Sequence, residues 1–358
     1  MGTIKQNYAN NITSGGDFDA TKLDGTISNA NVNNTTVGSL TTFGTAGTGV
    51  VSVASDPSPT SIGDVWFNTT VNKFRYSGAG VGSWATGGSL NDGRSQLAGI
   101  GTQTAALGAG GDTPGETANN ESYDGTSWTE VNNLAAATRL GQGIGLQTAA
   151  LMAGGYQPPG YQSKNESWDG TNWTETTNLN SNKGAGGGCG TQTAAIAFAG
   201  VPGGPMRTNE LWDGSSWTEV GDLNSGRRHV AGVGISTAAL AYGGDKPSPS
   251  PGALTEQWNG STWTEVADLN TARSTLGWGV YNLAGASLGH TGSYVNNTEL
   301  WDGTSWTEVA DSATSRKEGG TSGTVQSAGL YFGGESPLKA DTEEWTIPDT
   351  ATKTVTAA

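Results

Sequence analysis

Carboxylates are the reactive groups this chain offers in quantity: 32 Asp and Glu stand against 17 Lys and Arg, for a formal net charge of -15. Glu121, Glu166, Glu210, Glu256, Glu299 and Glu343 each lie two residues before an aromatic side chain, and alternation along a strand puts each on the same face as that aromatic. Arg94, Arg139, Lys183, Arg228, Arg273 and Arg316 recur at the same interval, so the pattern predicts ion pairs between successive repeats. Two carboxylates can hydrolyse a glycosidic bond when their environments push acid and base apart. A residue repeated in every unit meets the same surroundings each time, so these glutamates read as structural. A second series, Glu130, Glu175, Glu219, Glu265 and Glu308, reads as a solvated rim.

His229 and His290 are the only histidines, they fall in different repeats, and neither has a second His or a Cys at ligand spacing. Cys189 is the single cysteine, which excludes an intrachain disulfide and a thiolate zinc site and suits a small apolar residue among glycines. No metal and no cofactor is expected. The acidic balance argues against nucleic acid, which needs clustered Lys and Arg to displace counterions. The chain has no apolar run long enough to span a membrane and no secretory leader is expected at its start, so a route out of the cell by lysis is the expectation.

The elements that position these residues come from a repeat. The phrase Tyr123-Asp-Gly-Thr-Ser-Trp128 returns at Trp168 to Trp173, Trp212 to Trp217, Trp258 to Trp263 and Trp301 to Trp306. Counted from the second aromatic of each copy, the interval is about 44 residues, the size of one supersecondary unit. Gly-rich and Ala-rich segments near 140–145 and 149–155 read as inner strands with no room for large side chains. Gly-Thr-Gln-Thr turns join such strands at 101–104 and 190–193, and diglycines end the second strand at Gly110-Gly111, Gly154-Gly155, Gly243-Gly244 and Gly333-Gly334. Asp-Gly between aromatics then marks a short outer hairpin.

Four strands per unit, a diglycine and a spaced aromatic pair resemble the kelch-like β-propellers, with the pair here only five residues apart. The resemblance covers residues 74–348 and implies an all-β, six-bladed propeller, with blades about 90–133, 134–178, 179–222, 223–268, 269–311 and 312–348; a seventh or partial blade is the alternative. Trp84, Trp128, Trp173, Trp217, Trp263 and Trp306 are then structural, as are Glu121, Glu166, Glu210, Glu256 and Glu299. The sixth unit has Trp345 but no second Trp, while Tyr76 to Trp84 forms an outer hairpin with no inner strands. Residues 61–89 are therefore expected to close the last blade, and 349–358 to form a tail.

Residues 1–60 are dominated by Asn, Thr, Gly and Ser and carry few apolar side chains. The stretch from Phe18 to Val37, with Leu23-Asp-Gly-Thr-Ile27, and the stretch from Ser61 to Tyr76 resemble segments near the start of bacteriophage tail fibre and other virion proteins. That resemblance implies a stem that docks on other virion proteins, a homo-oligomer, trimeric as tail fibres often are, and a place in the virion. The loops between second and third strands vary most, and function is expected where repeats differ. Tyr156, Tyr161, Asp245, Lys246, His290 and Tyr294 are the candidate binding residues, with the Pro-rich 247–251 run as a stiffener. The expected function is non-enzymatic binding of a host-surface receptor, a glycan or a protein. A purely structural virion protein and a glycan-degrading enzyme are the alternatives.

Overall fold

The computed structural model describes residues 51–58, 64–202, 207–246, 252–291, 293–335, 337–348 and 350–354. Nearly all of the expected 1–60 stem and the 247–251 run lie outside them. The chain divides into two compact units, one of Met1–Val81 with Ile347–Ala358 and one of Gly82–Thr346.

The larger unit is all β among its described residues and consists of four-stranded antiparallel sheets in a propeller-like arrangement. In the first sheet the order is Ala98–Gly101, Ala106–Ala109, Asn120–Tyr123 and Trp128–Val131, each strand beside its sequence neighbour. The second runs Gln142–Leu146, Ala149–Ala153, Asn165–Trp168, Trp173–Thr176, and the third Gly187–Thr191, Ala194–Phe198, Asn209–Trp212, Trp217–Val220. The fourth runs Ala231–Ile235, Ala238–Tyr242, Thr255–Trp258, Trp263–Val266, and the fifth Ser274–Val280, Leu283–His290, Tyr294–Trp301, Trp306–Val309. The sixth takes Gly320–Val325, Ala328–Phe332 and Thr342–Thr346 from one end of the unit and Ser83–Gly87 from the other.

Trp84 sits directly opposite Trp345, as Trp306 does opposite Trp301 and Trp128 opposite Tyr123. The paired rings lie with centroids 4.9 to 5.5 Å apart, a stacking distance that adds to their burial. The expected 61–89 hairpin is divided. Its first arm, Lys73–Ala79, pairs instead with Val65–Asn68 and with Thr350–Thr354 in the smaller unit, which accounts for the extra strand. There Asp56 accepts from Trp66 Nε1 at 2.8 Å and Asn68 Nδ2 at 2.7 Å and pairs with Arg75 at 3.0 Å. Burial alone would raise the Asp56 carboxyl, but these partners hold it below the ordinary carboxylate value.

The outer hairpins owe their shape to one side chain. Asp124 Oδ1 accepts from the backbone N–H of Thr126 and of Ser127, both at 2.8 Å, while Gly125 turns with φ +93°. Asp169, Asp213, Asn259 and Asp302 repeat the arrangement, so the Asp of the phrase is spent on its own turn.

Neighbouring sheets are joined at three levels. The second aromatic donates outward from its sheet: Trp128 Nε1 to Thr342 Oγ1 at 3.0 Å, Trp306 Nε1 to Thr255 Oγ1 at 3.1 Å and Trp84 Nε1 to Thr298 Oγ1 at 2.9 Å. The Gln of the inner turns reaches back across the same boundary, Gln147 Nε2 to the Tyr123 carbonyl and Gln192 Nε2 to the Trp168 carbonyl, both at 2.6 Å, and Gln103 Nε2 to the Trp345 carbonyl at 2.6 Å. The diglycine supplies the third link. At Gly110, φ is +64° and an added Cβ would fall 2.2 Å from the Thr138 carbonyl, so the close approach needs a bare backbone. The following Gly111 donates to Thr138 O, and Gly155, Gly200, Gly244, Gly289 and Gly334 donate likewise to Lys183, Arg227, Arg273, Arg316 and Arg94.

Candidate functional site

Those same residues carry the buried charges. Arg94 pairs with Glu121 at 2.9 Å, Lys183 with Glu210 at 3.5 Å, Arg227 with Glu256 at 2.9 Å, Arg273 with Glu299 at 3.0 Å and Arg316 with Glu343 at 3.0 Å. Each pair lies within one sheet, which corrects the expectation of pairs between repeats: the cation enters its own first strand and meets the third strand of that sheet. Two register assignments also change. Arg227, and not Arg228, is the buried cation of the fourth sheet. In the second sheet Thr138 occupies the position, and Arg139 turns outward to Asp112 and Glu116, both at 3.1 Å. Desolvation pushes Arg94, Lys183, Arg227 and Arg273 below their ordinary values despite their carboxylate partners. Glu166 is left buried with the Ala135 N–H at 2.9 Å and no such cation, and burial raises its carboxyl.

Two residues beyond each buried position the backbone does something unusual. Gln96, Leu140, Ala185, His229 and Glu318 all adopt left-handed φ, between +51° and +58°. For a residue with a Cβ this costs on the order of 1–3 kcal/mol. Backbone bonds hold them there: Gln96 N–H donates to Glu318 O, Leu140 to Gln96, Ala185 to Leu140 and His229 to Ala185. The fifth sheet interrupts the series, since Ser274 begins a strand whose register shifts before Leu276.

These residues line an opening of about 100 Å³ to which every sheet of the larger unit contributes, the fifth through Ser274, Thr275 and Gly289. It lies at the end where second strands terminate, because the bridges Ser95 to Asp112, Arg139 to Tyr156, Arg228 to Asp245 and Lys317 to Glu335 tie each entry segment to the start of a variable loop. Glu318 accepts from Gln96 Nε2 at 2.6 Å and pairs with Lys317 at 3.1 Å, and Lys317 also meets Glu335 at 2.9 Å. Burial would raise the Glu318 carboxyl; Gln96, His229 and Lys317 outweigh it and keep it low. His229 Nδ1 lies 2.9 Å from Asp245 Oδ2, and His229, Arg228 and His290 hold the Asp245 carboxyl down against its burial.

Of the residues singled out from sequence, Asp245, His290 and Tyr294 fall beside this opening: His290 and Tyr294 stack edge to face at 5.8 Å, and Lys317 stands 5.9 Å from the Tyr294 ring. Tyr156 and Tyr161 face each other in a small hairpin of their own at 5.3 Å, with Arg139 over Tyr156. Lys246 is exposed. Gln96, Leu140, Ala185, His229, Ser274 and Glu318 were not among the candidates, because their side chains share no type; Gln96, Ala185, His229 and Glu318 share a spacing of two from a buried cation, Leu140 the same spacing from Thr138, and Ser274 follows Arg273 directly. Among the described residues no group of three or more His, Cys, Asp or Glu is arranged to hold a metal ion. Comparison with known protein families finds none that matches the chain, and no curated protein matches it.

Proposed function

We propose that the six sheets are the blades of a closed six-bladed propeller, with Ser83–Gly87 as the strand that completes the last blade. Three kinds of bond favour closure: Gly334 to Arg94 repeats between sixth and first sheets what the other boundaries have, and Gln103 to Trp345 and Trp128 to Thr342 repeat what several of them have. On this scaffold the chain acts as a non-enzymatic virion protein of a bacteriophage that binds a host-surface receptor, a glycan above all. The observation that carries the reading is the opening lined by dissimilar side chains from every sheet, set among the most variable loops, while the repeated residues are consumed by packing. The virion setting rests on the resemblance of residues 18–37 and 61–76 to tail fibre segments. An array of bacterial surface polysaccharides probed with the full chain tests it. Saturable retention without shortening of the polysaccharide is expected; no retention, or depolymerisation, overturns it.

A further inference from the structure

The series of backbone bonds around the opening has two ends. Among the described residues, the Glu318 N–H at one end and the His229 carbonyl at the other have no hydrogen-bond partner, and the fifth sheet separates them with Ser274. Behind Gly186, which lines the opening, the buried Gln142 amide has neither its oxygen nor its nitrogen paired; a Cβ on Gly186 would lie 2.4 Å from that nitrogen. A buried amide without partners costs about 1–3 kcal/mol, so such groups mark a place for a polar guest. The opening therefore offers a backbone donor at one end and a backbone acceptor at the other, and Glu318 adds a carboxylate.

Charge decides the class of guest. Each nearby cation is already held: Lys317 by Glu318 and Glu335, Arg139 by Asp112 and Glu116, Arg228 by Asp245 at 3.6 Å. Lys317, the one Lys or Arg of the lining, is already held by Glu318 and Glu335, so a phosphate, sulfate or uronate would meet the Glu318 carboxylate instead. A cationic guest would compete with Lys317 for Glu318. Hydroxyl groups fit both constraints, because each donates and accepts without charge.

We propose that the opening takes the hydroxyl edge of one neutral terminal sugar, with Glu318, Ser274 and the His229 carbonyl as contacts and Tyr294 beside them as an apolar face. This rests on the receptor reading above and names its ligand class. The full chain is assayed on the polysaccharide array with free neutral monosaccharides as competitors, beside Ala185→Trp, which fills the opening, and Glu318→Gln, which keeps its shape and removes its charge. Melting curves accompany both variants. Competition by a neutral monosaccharide, with retention lost in Ala185→Trp and weakened at least tenfold in Glu318→Gln, is the expected result. Should the first variant not fold, the second carries the comparison alone. Retention unchanged by the folded variants, or competition only by anionic sugars, overturns the inference while leaving receptor binding in place; no retention by the native chain removes both.

Discussion

Glu166 is the one residue of the repeated glutamate set whose cation has been exchanged for a threonine, and that exchange leaves its carboxyl raised by burial. Its carboxyl is raised in the folded chain, so its contribution to stability is complete below the unfolded value and is lost as pH rises through the folded one. The melting temperature of Glu166→Gln should therefore gain on that of the native chain as pH increases from 4.5 to 8. The same substitution at Glu210 should act oppositely, because it leaves the Lys183 ammonium buried without its carboxylate, a loss of about 3–5 kcal/mol. A difference that stays flat with pH for Glu166→Gln contradicts the first expectation, and an unchanged melt for Glu210→Gln the second. The structural role of the glutamates was legible from their repetition. Their partners were not fully so: Arg139 and Arg228 sit one residue past the buried position, and only the N–H of Gly111 or Gly200, donated to the carbonyl of Thr138 or Arg227, fixes that register.

At the scale of elements, the aromatic phrase told where hairpins turn, and its imperfect copies told which strand the sixth sheet borrows. Trp84 facing Trp345 was readable from spacing alone. The fate of Lys73–Ala79 was not, since its partner Thr350–Thr354 carries only Thr, Ala and Lys and gives no strand signal beyond β-branching. The inner-turn Gln was also opaque: Gly-Thr-Gln-Thr reads as a turn, and its bond to the neighbouring sheet appears only in three dimensions. Trp84→Ala would lose the bond to Thr298 and the contacts with Trp278 and Trp345; for this half-buried aromatic the cost is below the ~3–5 kcal/mol of a fully buried one. Thermal unfolding of this variant, and of a chain lacking residues 1–88, should begin well below that of the native protein; equal melts would mean that the sixth sheet does not need its borrowed strand.

The whole molecule joins a repeat-built unit to a second, smaller one. Repetition made the first legible, because each copy votes for the same strands, whereas the opening is built from positions where copies disagree and so left no pattern to read. The trimer that the front segment's resemblance implies belongs to this scale: on that proposal light scattering should give a trimer for residues 1–358 and a monomer for 60–358. Equal masses for the two would exclude the stem as the assembly element.

Ser83 and Thr346 are the residues at which the chain enters and leaves the sixth sheet, and they lie directly opposite each other. Force that separates the flanking segments first parts Lys73–Ala79 from Thr350–Thr354 and then meets this sheet as unzipping, one bond pair after another, from Ser83 and Thr346. Force that draws both segments the same way loads all five residue pairs of that strand together with the rest of its sheet. A tether attached to both ends at once thus grips far more strongly than one that pulls them apart, and the direction of anchoring becomes part of the protein's mechanical strength.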